Sequence, residues 1–145
     1  MEENPPVSLD RSACNCFALR QAARHVTQIY DRHLAKAGLR ATQYSLLAKL
    51  SRLERVSINE LAKSMVMDRT TLGRALRPLE REGLLTIGAG DDGRTRSLSL
   101  TPAGEARLDA AAAKWRDAQE EFEMAFGASQ ATNLRTTLRR VISET

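Results

Sequence analysis

The chain has 145 residues, a formal net charge of +4 at pH 7 and a sequence pI of about 9.5. This length suits one domain that can bury a core, and an apolar share of 42% excludes disorder throughout the chain. The basic balance permits a polyanionic partner. Three phenylalanines, two tyrosines and one tryptophan are too few for the aromatic platforms of single-strand nucleic-acid binders.

Local features of the sequence argue against membrane insertion, export and metal binding. No apolar run approaches the roughly 20 residues of a membrane span, and residues 1–10 lack the apolar stretch of a signal peptide. Cys14 and Cys16 are too close for an unstrained disulfide on one helix. They provide only two thiolates, and His25 and His33 fall on other helical turns. We therefore expect a cytoplasmic protein without a metal or a cofactor.

Hydrophobic periodicity and capping residues predict a mainly α fold with a small β-wing. A long first helix is expected over Ser12–Ala37 with Gly38 at its end, and Thr42 is the expected cap of a second helix. The stretch Arg55-Val-Ser57 is predicted to be a break. The remaining predicted elements are helix Ile58–Met65, helix Asp68–Arg81, strands Leu84–Ile87 and Ser97–Leu100, helix Pro102–Phe126 and helix Ser129–Ser143.

The predicted helix Asp68–Arg81 has an apolar back and a basic front. Asp68 suits the N-cap, and Leu72, Leu76 and Leu79 recur at helical spacing. A basic face with small residues near its N-terminus fits the major groove of DNA, although ordinary solvated helices can share this pattern. The front face comprises Arg69, Thr70, Gly73, Arg74 and Arg77.

The neighbouring elements favour the DNA interpretation of this helix. It is joined to helix Ile58–Met65 by a few residues, as in a helix-turn-helix. The two strands surround the turn-rich tip Gly88–Gly93, which predicts a β-wing. The long terminal helices carry more apolar surface than this central module needs, which suggests that they pack against a second copy of the chain.

Two motifs, in this order of elements, resemble the MarR family of winged-helix transcription regulators. The first spans residues 61–84 and includes Asp68-Arg-Thr-Thr-Leu72, and the second is the wing segment Asp92–Gly104. The resemblance implies a winged helix-turn-helix domain flanked by N- and C-terminal dimerisation helices. Residues 1–145 then form a single protomer, with the DNA-binding region at 40–101 and the dimerisation helices at 11–38 and 102–145.

The resemblance also implies a homodimeric bacterial regulator, usually a repressor, that binds a pseudo-palindromic site in double-stranded DNA. In the family the arginine that matches Arg94 enters the minor groove, where negative potential favours a guanidinium, and Asp92 could hold it by a charge-assisted hydrogen bond. On helix Asp68–Arg81, the expected recognition helix, base reading is assigned to Arg69, Thr70, Thr71 and Arg74, while Arg77 and Arg81 are expected to meet phosphates. The expected DNA-binding residues are Arg69, Thr70, Thr71, Arg74, Arg77, Asp92, Arg94 and Arg96.

The signal that releases the DNA has two candidates. Family members usually respond to a small phenolic or anionic ligand. A pocket beneath the first two helices is expected to bind such a ligand through Arg20, Tyr30, His33 and Tyr44.

The alternative is a thiol-based redox sensor that uses Cys16, with Cys14 beside it. The region around Cys16 resembles that of the organic-peroxide sensors in the family, and its position near a helix N-terminus and Arg20 favours a reactive thiolate. Those sensors carry three tyrosines at positions matching 20, 30 and 41. This chain has Arg20, Tyr30 and Ala41, so two of the three are absent.

Two other classes of protein were compared with a DNA-binding regulator. An enzyme is not expected, because the sequence lacks a Ser/His/Asp grouping, a phosphate-cradling glycine loop and a metal-ligand cluster. A protein-interaction module could retain the winged fold without DNA binding. Loss of Arg94 or of the basic helix face would have favoured that module, and both are present.

Overall fold

Helices from both ends of the chain flank a central helix-turn-helix and a small sheet. The computed structural model describes residues 3–4, 6, 10–90, 93–94 and 96–145. Short 3-10 turns lie at Arg11–Ala13 and Ala35–Ala37. The α-helices are α1 (Asn15–Leu34), α2 (Ala41–Leu53), α3 (Ile58–Met65), α4 (Arg69–Arg81), α5 (Pro102–Phe126) and α6 (Ala128–Glu144), and the strands are β1 (Arg55–Ser57), β2 (Leu85–Ala89) and β3 (Arg96–Leu100).

The junction between α1 and α2 agrees only in part with the sequence prediction. The predicted first helix, Ser12–Ala37, is too long, because α1 covers only Asn15–Leu34 and 3-10 turns lie before and after it. Gly38 therefore caps the 3-10 turn Ala35–Ala37 rather than α1, in the left-handed region at φ 75°. The prediction that Thr42 caps α2 is wrong, because the N-cap is Arg40. The Asp31 carboxylate instead accepts a 2.7 Å hydrogen bond from the Ala41 amide, and the Gln43 side chain accepts one from the Arg40 amide. A side chain from α1 therefore satisfies the start of α2, which local sequence does not reveal.

The predicted helix-turn-helix is present as α3 and α4. Ser57 caps α3 by accepting a hydrogen bond from the Glu60 amide. Val66 ends α3 in the left-handed conformation at φ 53° and ψ 47°, two residues before Asp68. A β-branched residue is strained in that conformation, so surrounding structure must maintain it.

The sheet has three antiparallel strands in the order β1-β3-β2, rather than the two that the sequence predicted. The stretch Arg55–Ser57, predicted to be a break, pairs with β3 and places Val56 opposite Leu98. Val56 is buried at 4% exposure, so this short strand closes one side of the core. Three residues are too few to show an alternating pattern, which explains the wrong prediction.

The core lies where α2, α3, α4 and the sheet meet α5. Its largest fully buried side chains are leucines, and each contributes about 1.5–3 kcal/mol through burial. Those side chains are Leu34, Leu46, Leu47, Leu50, Leu61, Leu72, Leu76, Leu79, Leu85 and Leu98.

A corner at Thr101 joins the end of α4 to the start of α5. The Thr101 hydroxyl donates to the Gly83 carbonyl at 2.6 Å and accepts from the Gly104 amide at 3.0 Å. The Thr101 amide donates to the Leu84 carbonyl at 3.1 Å. Gly104 is buried, and a Cβ atom there would lie 2.0 Å from that same carbonyl oxygen. The predicted cap of α5 is therefore confirmed, and it also binds the segment after α4.

The terminal helices leave apolar side chains uncovered. α1 packs along α5, while α6 covers less of the protein and has only Ala131 buried. In the described part of the chain, no helix is both long and apolar enough to span a membrane. The exposed apolar side chains of these helices are Phe17, Leu19, Met124, Phe126, Leu138, Val141 and Ile142.

Candidate nucleic-acid interface

The start of α4 is held by its N-cap, Asp68. One carboxylate oxygen accepts from the Thr71 amide and the other from the Thr71 hydroxyl, both at 2.8 Å. These hydrogen bonds from Thr71, the backbone one first, hold the pKa of Asp68 below its usual value. Thr71 is exposed, as the DNA prediction requires, but its hydroxyl proton is already donated to Asp68. It can offer only its remaining acceptor capacity to a partner.

The two predicted faces of α4 are clearly separated. Leu72, Leu76 and Leu79 have no exposed surface and anchor the helix in the core. The opposite side projects from the protein, and Gly73 at its margin is half-buried. The exposed side chains are Arg69, Thr70, Arg74, Arg77 and Arg81.

The wing carries two further exposed arginines. Arg96 begins β3 opposite Ala89 of β2, and both Arg94 and Arg96 are exposed. Asp92, the predicted partner of Arg94, lies outside the described residues, so its role stays a prediction. The described residues therefore include both a helix and a hairpin that expose arginines, the two kinds of element that the sequence predicted to contact DNA.

Arg55 makes contacts across the sheet that the sequence analysis did not predict. From β1 its Nε donates to the Ser97 hydroxyl of β3 at 2.8 Å, and its Nη2 lies 3.5 Å from the Ala89 carbonyl of β2. The guanidinium thus crosses the sheet and contacts both strands of the hairpin. Only the strand pairing of β1 places Arg55 there, and that strand was itself not predicted.

The four predicted ligand-binding residues do not line one cavity. Tyr44 stacks on Trp115 of α5, with ring centroids 6.1 Å apart and planes 14° apart. Tyr30 instead donates its hydroxyl to the side-chain amide oxygen of Gln119, one turn further along α5. Burial raises the pKa of Tyr44 and is the largest cause of the raised pKa of Tyr30. The two tyrosines thus meet successive turns of α5 from different helices.

Each tyrosine lines a different cavity. The cavity at Tyr44 has a volume of about 550 Å³ and lies among α2, α3 and α5. The cavity at Tyr30 has about 480 Å³ and lies among α1, α5 and α6. His33 is occupied elsewhere, since its Nε2 lies 3.2 Å from Glu121, while Arg20 is exposed on α1. The four residues therefore do not form the predicted pocket, because Tyr30 and Tyr44 contact different turns of α5 and line different cavities.

Cys14 and Cys16 are both free and exposed at the start of α1. Cys14 is the N-cap, and its Sγ accepts from the Phe17 amide at 3.3 Å. Cys16 lies in the first helical turn. Among the residues described, no cluster of three or more His, Cys, Asp or Glu side chains could hold a metal ion.

The helix-turn-helix, the wing and their arginines define a winged-helix DNA-binding protein. Residues 39–87 match the model of the MarR family. A crystal structure of the Mycobacterium tuberculosis transcriptional regulator MosR in complex with DNA is similar, with a TM-score of 0.79 and 36% identity. The match covers 90% of this chain and 97% of that one. The chain therefore belongs to the MarR family of DNA-binding transcriptional regulators and is not an enzyme.

Two curated relatives are also transcriptional regulators. The organic hydroperoxide resistance transcriptional regulator of Bacillus subtilis (strain 168) is 30% identical over 90 residues, which is 61% of this chain and 61% of that protein. The HTH-type transcriptional regulator SarZ of Staphylococcus haemolyticus (strain JCSC1435) is 26% identical over 129 residues, covering 88% of this chain and 86% of the relative.

Proposed function

We propose that this chain is a homodimeric repressor that binds a pseudo-palindromic operator in the bacterial cytoplasm and releases it when a small phenolic or anionic ligand binds. The DNA-binding part of this proposal rests on the separation of α4 into a buried apolar face and an exposed basic face. Its leucines are fully buried, which fixes the helix orientation, and its arginines project outward. Arg94 and Arg96 on the hairpin supply the second set of contacts.

Selection of bound sequences from random duplex DNA tests this proposal. We expect a palindrome with half-sites about one helical turn (~10 bp) apart. Arg74→Ala should weaken binding about 5- to 150-fold and alter the preferred base at one position of each half-site. Arg94→Ala should weaken binding to all sequences. Equal losses on every sequence for both variants would contradict this division of roles, and a salt-independent affinity would contradict DNA binding itself.

Uncovered apolar surface supports the homodimer. Ile142 and Phe17 are 63% and 59% exposed on α6 and α1, and a second copy could bury them together with Leu138 and Val141. We expect Ile142→Glu to shift the protein toward monomers in sedimentation equilibrium. Thr136→Glu, on the opposite face of α6, should leave the dimer intact.

The cavity at Tyr44 is the better candidate for the effector site. It combines the Tyr44–Trp115 stack with Lys49 and Arg52, which suits an aromatic ring carrying a carboxylate. Trp115 is the only tryptophan, so its fluorescence reports binding directly. Salicylate should change this fluorescence and release DNA. Arg52→Ala should weaken salicylate binding about tenfold, on the order expected for a lost charged hydrogen bond, and leave the uncharged amide analogue unaffected. Binding without DNA release would contradict the effector role.

A thiol switch is the second candidate for the signal. The exposed Cys14 and Cys16 at the start of α1, and the 30% identity to a regulator named for hydroperoxide resistance, both favour it. The Cys16 thiolate would attack an organic hydroperoxide, forming a sulfenic acid and releasing an alcohol. Hydroperoxide should then release DNA from the wild type but not from Cys16→Ser. An unchanged response of Cys16→Ser would refute this role for Cys16.

A further inference from the structure

Gly73 is an interior residue of α4 that the protein itself does not require to be glycine. Glycine in a helix interior is less favourable than alanine. Its φ is not in the left-handed region, and a Cβ atom at this position would meet no protein atom within 4 Å. Gly104 shows the contrasting case, since a Cβ there would collide with the backbone. Neither backbone conformation nor packing therefore explains Gly73.

The residues around Gly73 suggest an explanation for the glycine. Arg69 lies one helical turn before it and Arg77 one turn after it, and both are exposed. Their Cα atoms are about 12 Å apart along the axis, from a rise of about 1.5 Å per residue. Bare backbone between two guanidinium groups makes a shallow notch, which we call the Gly73 notch, formed by Arg69, Gly73 and Arg77. Glu80, two turns beyond Gly73, would repel a phosphate and confines the notch to the N-terminal half of α4.

We propose that the Gly73 notch seats one sugar-phosphate strand of the DNA. Arg77 holds a phosphate on one side, as the sequence predicted, and Arg69, which the sequence analysis assigned to base reading, holds one on the other. The missing side chain lets the strand approach the α4 backbone. A phosphate is the partner that two arginines recognise best through paired N–H donors. This assignment rests on the proposed placement of α4 against DNA. It makes Gly73 a residue for affinity rather than for sequence choice.

The variant Gly73→Ala should change protein stability and DNA affinity in opposite directions. The variant should melt about 3 °C higher, because alanine favours the helix and meets no protein atom. It should bind duplex DNA about tenfold more weakly, since a methyl group forced into a packed contact is costly. The loss should be equal on the selected operator and on a random duplex. Displacing the strand from Arg69 and Arg77 should also reduce the salt slope by about one to two.

Ser129→Ala is the control, because it raises helix propensity at an exposed position of α6, outside both the helix-turn-helix and the wing. We expect its DNA affinity to stay at the wild-type value. Unchanged DNA affinity of Gly73→Ala would overturn the proposal, and so would a loss confined to the operator, which would indicate a base contact. Failure of the wild type to bind any duplex, or full binding by Arg74→Ala, would instead overturn the proposed function on which the notch depends.

Discussion

Gly104→Ala should destabilise the fold strongly, although it adds only one methyl group. The new Cβ atom would lie 2.0 Å from the Leu84 carbonyl oxygen and 2.7 Å from a Leu100 methyl carbon. The backbone must move by about 1.3 Å to restore a contact distance near 3.3 Å, a typical C···O separation. Overpacking of this kind costs about 1–3 kcal/mol, and loss of the Thr101 amide bond to the same carbonyl adds about 1 kcal/mol. We expect the free energy of unfolding to fall by about 3 kcal/mol.

Urea denaturation followed by circular dichroism, at one fixed protomer concentration, measures this loss. Gly88→Ala provides the control, because it adds the same group where no protein atom lies within 4 Å. Its free energy of unfolding should stay within about 0.5 kcal/mol of the wild type. A Gly104→Ala variant as stable as this control would refute the idea that close backbone approach requires glycine at the α5 corner.

Three further perturbations test other features of the structure. Val66→Gly should raise the free energy of unfolding by about 1 kcal/mol in the same urea assay, because left-handed strain of about 1–2 kcal/mol exceeds the entropy cost of glycine; a loss of stability would contradict this. Tyr30 and Tyr44 should both ionise above pH 10 in an ultraviolet absorbance titration, since burial raises each pKa from 10.0. Their raised pKa values favour the folded state fully below pH 10, and this contribution is lost as pH rises through the folded pKa; ionisation at or below pH 10 would disprove the assignment. Arg55→Ala should weaken operator binding several-fold with little change in melting temperature, because it removes the side-chain contacts from β1 to Ser97 and Ala89 and leaves the β1–β3 strand pairing in place; wild-type affinity in a fluorescence anisotropy titration would exclude this positioning role.

Sequence reasoning succeeded where one local pattern determines the structure. Helix α3 has the predicted bounds, and α4 begins directly after its predicted cap, Asp68, with the leucines buried. The start of α5 at Pro102 was predicted equally well, because Thr101 and proline are both strong local signals. These elements also carry most of the candidate DNA contacts, which is why the interface could be outlined before the fold was known.

The larger failures, at β1, at the start of α2 and at the two tyrosines, involve partners distant in sequence. β1 exists because β3 pairs with it, and α2 begins at Ala41 because Asp31 accepts its amide. Tyr30 and Tyr44 were grouped because both lie on neighbouring helices, but their surroundings depend on α5 residues about 70 to 90 positions away. Helical spacing says which face a residue occupies and says nothing about which distant element covers that face.

The corner at Thr101 gives α5 the properties of a lever. The Thr101 hydroxyl and amide bind the segment after α4, and the same hydroxyl binds the first turn of α5, so we expect the two helices to move together. The 25 residues of α5 make an arm about 37 Å long at about 1.5 Å per residue. If α5 rotated by only about 5° about its C-terminal end, its N-terminal end, and α4 with it, would move by roughly 3 Å. This shift is close to the rise of one base pair. In a two-fold pair, the angle between the two α5 helices would therefore set the distance between the two α4 helices, and with it the spacing of the half-sites they fit.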